Sequence, residues 1–137
     1  MNDPEFVDEA RRWLRFATED LDVAQRLLAA DGAPPRHACA LAQQAAEKAL
    51  KAALVLEGID FPFRHDLDAL RNLLPDTWSV RCTHTDLAQL TEWAVEARYP
   101  GDWQEATATD AEQAVSQARG VYNSIAAEFE RRSPINR

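Results

Sequence analysis

The residues best placed to do chemistry lie in one alanine-dense run. Gln43, Gln44, Glu47, Lys48 and Lys51 recur there at three- and four-residue steps, which brings them to one side of a helix. Two readings compete for this band. Glu47 and Lys51 stand four residues apart, and such a pair is worth about 0.2–0.5 kcal/mol on a helix surface or at an interface. Alternatively, Lys48 and Lys51 contact phosphate while Gln44 hydrogen-bonds a base or a partner backbone. Asp20 and Glu47 are read as structural polar groups, with Asp20 the internal partner of an arginine or a lysine.

Two further positions invite chemistry. His65 precedes Asp66 at the start of a helix. Histidine titrates near neutrality, so the pair reads either as a general acid/base site or as a cap packed on the Phe61-Pro62-Phe63 loop. Arg98-Tyr99 follows a helix. A loop arginine there grips phosphate or carboxylate bidentately, and Tyr99 stacks on a base. The competing arrangement pairs Arg98 with Asp20 and packs Tyr99 under the loop. No His/Cys/Asp cluster has metal-ligand spacing. Four scattered glycines form no phosphate-cradling loop, so neither metal nor cofactor is expected.

Helices must position all of these groups. Asp3, Pro4 and Glu5 start a helix running to Ala30, with Phe6, Ala10, Trp13, Ala17, Leu21, Ala24 and Leu28 as its apolar stripe. After Asp31-Gly32, Pro34-Pro35 open a second helix that reaches Glu57, with Gly58 at its C′ position. Its apolar arc (Ala38, Leu41, Ala42, Ala45, Ala46, Ala49, Leu50, Ala52, Ala53, Leu56) is wide enough for several neighbours, which makes this the central helix. A short helix spans Asp66 to Leu74 before Pro75, and a fourth covers Thr85 to Ala97 with Leu87, Leu90, Ala94 and Ala97 inward. Pro100-Gly101 then break the pattern. Thr109 and Glu112 form a capping box for the last helix. The fold class is all-α, an antiparallel up-and-down bundle of about five helices. Residues 1–132 make one domain and 133–137 a frayed tail.

Composition narrows the function classes. The chain has 137 residues and a net charge of −8, so a broad DNA-binding surface is disfavoured by repulsion from the phosphate backbone. No apolar run approaches the roughly 18 residues that span a bilayer. The charged N-terminus has no apolar signal core, and the two cysteines fit a reduced, cytoplasmic setting.

Four elements in order carry a family resemblance. They are Ala17-Thr-Glu-Asp20-Leu21-Asp-Val-Ala24, Gln44-Ala-Ala-Glu47-Lys48-Ala-Leu-Lys51, His65-Asp66-Leu67 and Ala97-Arg98-Tyr99-Pro100. Together they resemble a small prokaryotic HEPN domain. The resemblance implies a homodimeric helical bundle, frequent pairing with a minimal nucleotidyltransferase in toxin-antitoxin couples, and in many members a metal-independent ribonuclease. Some relatives accept a nucleotidyl group on a tyrosine near the position of Tyr99. The nuclease signature is an arginine followed after four to six residues by a histidine. None of His37, His65 and His84 follows an arginine at that interval. General acid/base transfer is worth about 10²–10⁴ in rate, so the nuclease assignment does not transfer with the fold. The expectation is a non-catalytic dimeric module binding a nucleotide or an RNA terminus in a helix-lined cleft. The alternatives are a toxin ribonuclease using Arg98 and a structural protein-interaction adaptor.

Overall fold

Alanine sets how closely the long helices approach one another. A computed structural model describes residues 4–62, 65–94 and 105–132. It contains α1 (Pro4–Ala29), α2 (Pro35–Leu56), α3 (Leu67–Asn72), α4 (Val80–Thr83), α5 (Ala88–Thr91) and α6 (Ala108–Arg132). No strand occurs among the described residues. Seven alanines of α2 (38, 42, 45, 46, 49, 52 and 53) are buried, so both α1 and α6 pack directly on the α2 backbone. The side chains between them are small on all sides: Ala10, Ala17 and Ala24 from α1, and Ala111, Ala114 and Ala118 from α6. Leu21, Leu50, Leu54 and Ile125 fill the remaining space.

The chain descends along α2, climbs back through three short helices and descends again with α6. Arg132 at the end of α6 meets Glu57 at the end of α2, whereas Tyr122 and Arg119 of α6 meet Thr18 and Gln25 of α1. Thus α6 runs parallel to α2 and antiparallel to α1. The expected central helix and the all-helical bundle are both present.

Helix ends follow the capping chemistry of their sequences. At the end of α2, Ile59 N–H donates to Leu54 O and Gly58 N–H to Val55 O, both at 2.9 Å, with Gly58 at φ +68°. This is a Schellman closure, which requires the left-handed conformation at that residue. At α6 the capping box forms two residues earlier than expected. Thr107 N–H donates to Asp110 Oδ2 at 2.9 Å, and Asp110 N–H donates to Thr107 Oγ1 at 3.0 Å. The Thr109/Glu112 assignment is therefore corrected to Thr107/Asp110.

The expected helix from Thr85 to Ala97 is also corrected. Its described part holds only the single turn α5. Asp68 Oδ1 accepts Leu87 N–H and Asp86 Oδ1 accepts Ala88 N–H, so side chains satisfy the amides that an earlier helical start would use. Beyond Thr91 the bonds tighten to three-residue closures, Trp93 N–H to Leu90 O and Ala94 N–H to Thr91 O. Leu87, Leu90 and Ala94 are nevertheless buried as their spacing predicted. Ala97, Trp103 and the tail 133–137 lie outside the described residues.

Two of the tryptophans find their place inside the bundle. Trp78 is fully buried and Trp93 nearly so. Trp78 Nε1 donates to Glu57 Oε2 at 2.6 Å, and the Arg132 guanidinium stacks on the indole 4.5 Å from its centroid. Arg132 also reaches Glu128 and Thr77, clasping the base of the bundle.

Gly58 yields a direct test of this architecture. A Cβ there would sit 2.8 Å from Phe6 Cε2, in addition to the left-handed strain of about 1–2 kcal/mol. Gly58→Ala is expected to lower stability by about that amount in urea unfolding. An unchanged midpoint would show that the closure tolerates a side chain.

Candidate functional site

The polar band of α2 turns inward more than it turns outward. Gln43, Glu47 and Lys51 lie four residues apart along α2 and face the loop that follows the helix. Gln43 is fully buried and Lys51 is 7% exposed. Glu47 joins them. Its Oε2 accepts Lys51 Nζ at 2.7 Å, and its Oε1 accepts Gln43 Nε2 at 2.9 Å and lies 3.0 Å from His65 Nδ1. An ionised carboxylate only accepts, so His65 Nδ1 is the donor in this contact. Gln43 Nε2 also donates to His65 O at 3.3 Å. Four polar residues thereby join His65 to the middle of α2.

Aromatic rings close over this cluster. Lys51 Nζ sits 5.7 Å from the centroid of Trp13 on α1 and 5.5 Å from that of Phe61 in the loop, within the range of cation–π attraction. Lys51 was read from sequence either as a paired surface or interface lysine or as a phosphate contact; in the structure its ammonium lies beneath two rings and pairs with Glu47. Lys48 is the more accessible lysine, and it pairs with Asp20 Oδ2 at 2.7 Å. Asp20 thus pairs with a lysine of α2. Gln44 is half-buried beside them.

His65 and Asp66 separate in role. Asp66 caps α3 by accepting Ala69 N–H at 3.2 Å, while His65 turns to Glu47. The carboxylate partner of the histidine is therefore Glu47 and not its neighbour in sequence. Of the sites expected from sequence, Glu47, Lys51 and His65 meet in one cluster and Asp20 and Lys48 form an adjoining pair. Arg98 and Tyr99 lie outside the described residues. Sequence reasoning placed Gln43 in the polar band, Trp13 in the stripe of α1 and Phe61 in the loop beside His65, but did not join any of them to Glu47 or Lys51. The 43/47/51 step was a usable signal for Gln43, whereas the rings come from other parts of the chain.

Charge in the cluster is balanced. Burial pushes the Glu47 carboxyl upward, but hydrogen bonds from Lys51, Gln43 and His65, with the Lys51 charge, outweigh it and hold the group below its ordinary range. Gln43 Oε1 is buried with no hydrogen-bond partner among the described residues. No group of three or more His, Cys, Asp or Glu side chains able to hold a metal occurs among the described residues. Two shallow grooves border the site along α1. One, of about 280 Å³, is lined by Glu9, Arg12, Trp13 and Phe16. The other, of about 360 Å³, is lined by Phe6, Glu9, Val55, Gly58, Ile59, Asp60 and Phe61.

The remaining histidines occupy different settings. His37 is exposed on the first turn of α2. His84 packs its ring on Gly120 of α6, where a Cβ would come within 2.8 Å of Cε1. Burial lowers the pKa of His84, partly offset by a hydrogen bond to the Gly120 backbone. Cys39 is buried, and burial together with Asp110 raises its thiol to about 11. It is a packing residue.

A carboxylate held below its unfolded value stabilises the fold above that value and loses the contribution as pH falls through the folded pKa. The unfolding midpoint should therefore drop between about pH 5 and pH 3, less steeply in Glu47→Gln than in the parent. Equal slopes would show that Glu47 is not held by its neighbours.

With this geometry in place, comparison with known proteins places the chain. No curated protein matches it. Two solved structures are similar. A protein of Thermus thermophilus, TT1696, shares 28% identity at a TM-score of 0.73, over 87% of this chain and 97% of that one. ST0689, described as an archaeal HEPN homologue, shares 26% identity at a TM-score of 0.63, over 88% of this chain and 97% of its own. The family model of the HEPN domain matches residues 10–129, so the chain belongs to the HEPN domain family.

Proposed function

We propose that this chain is a non-catalytic HEPN module that works as a homodimer, pairs with a nucleotidyltransferase-like protein in a toxin-antitoxin type couple, and holds a nucleotide or an RNA terminus. The observation that carries the non-catalytic reading is the engagement of His65. Its Nδ1 is bound to Glu47, its carbonyl accepts from Gln43, and Glu47 is itself held by Lys51. A histidine so committed fixes a loop. His84, packed on Gly120, is biased toward its neutral form.

On this reading Gln44 and Lys48 on the half-exposed edge of α2 supply ligand contacts together with Arg98 and Tyr99, while Lys51 contributes by holding Glu47 in place. The ion pairs of Lys48 and Lys51 also favour a second reading, a structural adaptor whose polar band serves packing alone. Binding and packing separate experimentally.

Nucleotides are expected to raise Tm, with the shift reduced by salt and by Arg98→Ala, and purified protein is expected not to cleave RNA beyond a mock-purified control. Cleavage that vanishes in Arg98→Ala would establish a ribonuclease. No shift with any nucleotide would favour the adaptor.

A further inference from the structure

The outer face of α1 carries an order that the bundle does not use. Glu9, Arg12, Phe16, Glu19, Val23 and Arg26 repeat at alternating steps of three and four, and all six are exposed. Phe16 and Val23 are each 41% exposed, and they sit in this stripe away from the buried Ala10, Ala17, Leu21 and Ala24. Steps of three and four keep these residues on one face of the helix, the geometry in which one helix can lie along another. The two apolar side chains are separated by Glu19 and bordered by Glu9, Arg12 and Arg26, so the face is apolar at two points and charged between and around them.

The charges identify the occupant. The exposed ones along α1 run acidic (Glu5, Asp8, Glu9), basic (Arg12, Arg15), acidic (Glu19, Asp22) and basic (Arg26), so their sign reverses on either side of Phe16. A sequence antisymmetric in charge about one residue is complementary to its own reversed copy. A two-fold axis beside Phe16 brings residue 12 of one copy to residue 20 of the other and residue 9 to residue 23. Arg12 then approaches the exposed Glu19, twice by symmetry. Val23 arrives at the groove lined by Glu9, Arg12, Trp13 and Phe16, and the two Phe16 rings meet at the centre. Self-complementarity of this kind is what an isologous contact requires.

We infer that the homodimer forms through this face, α1 against α1 of a second copy, antiparallel and centred on Phe16. The inference rests on the two-fold assembly proposed above and adds its surface. It leaves the Glu47 cluster behind the interface, with Trp13 joining the two.

Light scattering at micromolar concentration tests it with three variants, Arg12→Glu, Glu19→Arg and the double exchange, each checked for parental helical content by circular dichroism. The parent is expected at about twice 15.4 kDa. Each single reversal places like charges opposite one another and should weaken the dimer by at least about tenfold, and the double exchange should restore it. A parent dimer indifferent to the single reversals overturns the α1 face but leaves the two-fold assembly standing. Single variants that dissociate without rescue by the exchange overturn the charge pairing. A monomeric parent overturns both the face and the assembly.

Discussion

Enclosure of α2 is the constraint from which the rest of the structure follows. Alanine brings α1 and α6 against its backbone on two sides, and α3 and α5 take part of a third. A helix packed so closely has little surface on which to place polar side chains. Those on the remaining edge must find partners inside the protein, because a buried charge without a partner costs several kcal/mol. Glu47 and Lys51 meet that demand with each other, with Gln43 Nε2 and with His65, which holds His65 beside α2. One packing decision, small side chains on α2, thereby dictates both the approach of the long helices and the place where the chain turns.

The same logic holds at the base of the bundle. Trp78 is too large to lie between alanine-packed helices, so it occupies the gap where α2 and α6 end. Its one polar atom is bound by Glu57, and Arg132 covers its face. Arg71 does comparable work higher up. It pairs with Asp68 and donates to His84 O at 2.9 Å, which anchors the connection between α4 and α5. Short helices, weak alone because few of their amides find partners within the turn, are held by side chains from their neighbours.

Much of this fold was legible in the sequence, and the limits are physical. Period and caps are local, so α1, α2 and the Gly58 closure could be read directly. Thr107 and Thr109 both stand three residues before an acid, and spacing alone does not choose between the two boxes. The helix expected at Thr85 failed because Asp68, from the start of α3, takes the Leu87 amide. The site divides in the same way. The alignment of Glu47 with Lys51 follows from spacing, but the burial of Lys51 depends on Trp13 and Phe61 arriving from other segments. His65 shows the clearest gap: its neighbour Asp66 suggested a dyad, and the fold gave it Glu47 from a different helix.

The central claim is that Lys51 and Glu47 form an internal tie on which the loop and the candidate site depend. A double-mutant cycle with Lys51→Met, Glu47→Gln and both together, read by urea unfolding at pH 7, measures that tie. The account predicts a coupling energy of about 1–3 kcal/mol, in the range found for contacting groups within one network. Additive single changes, with a coupling indistinguishable from zero, would contradict it and return Lys51 to the solvated face.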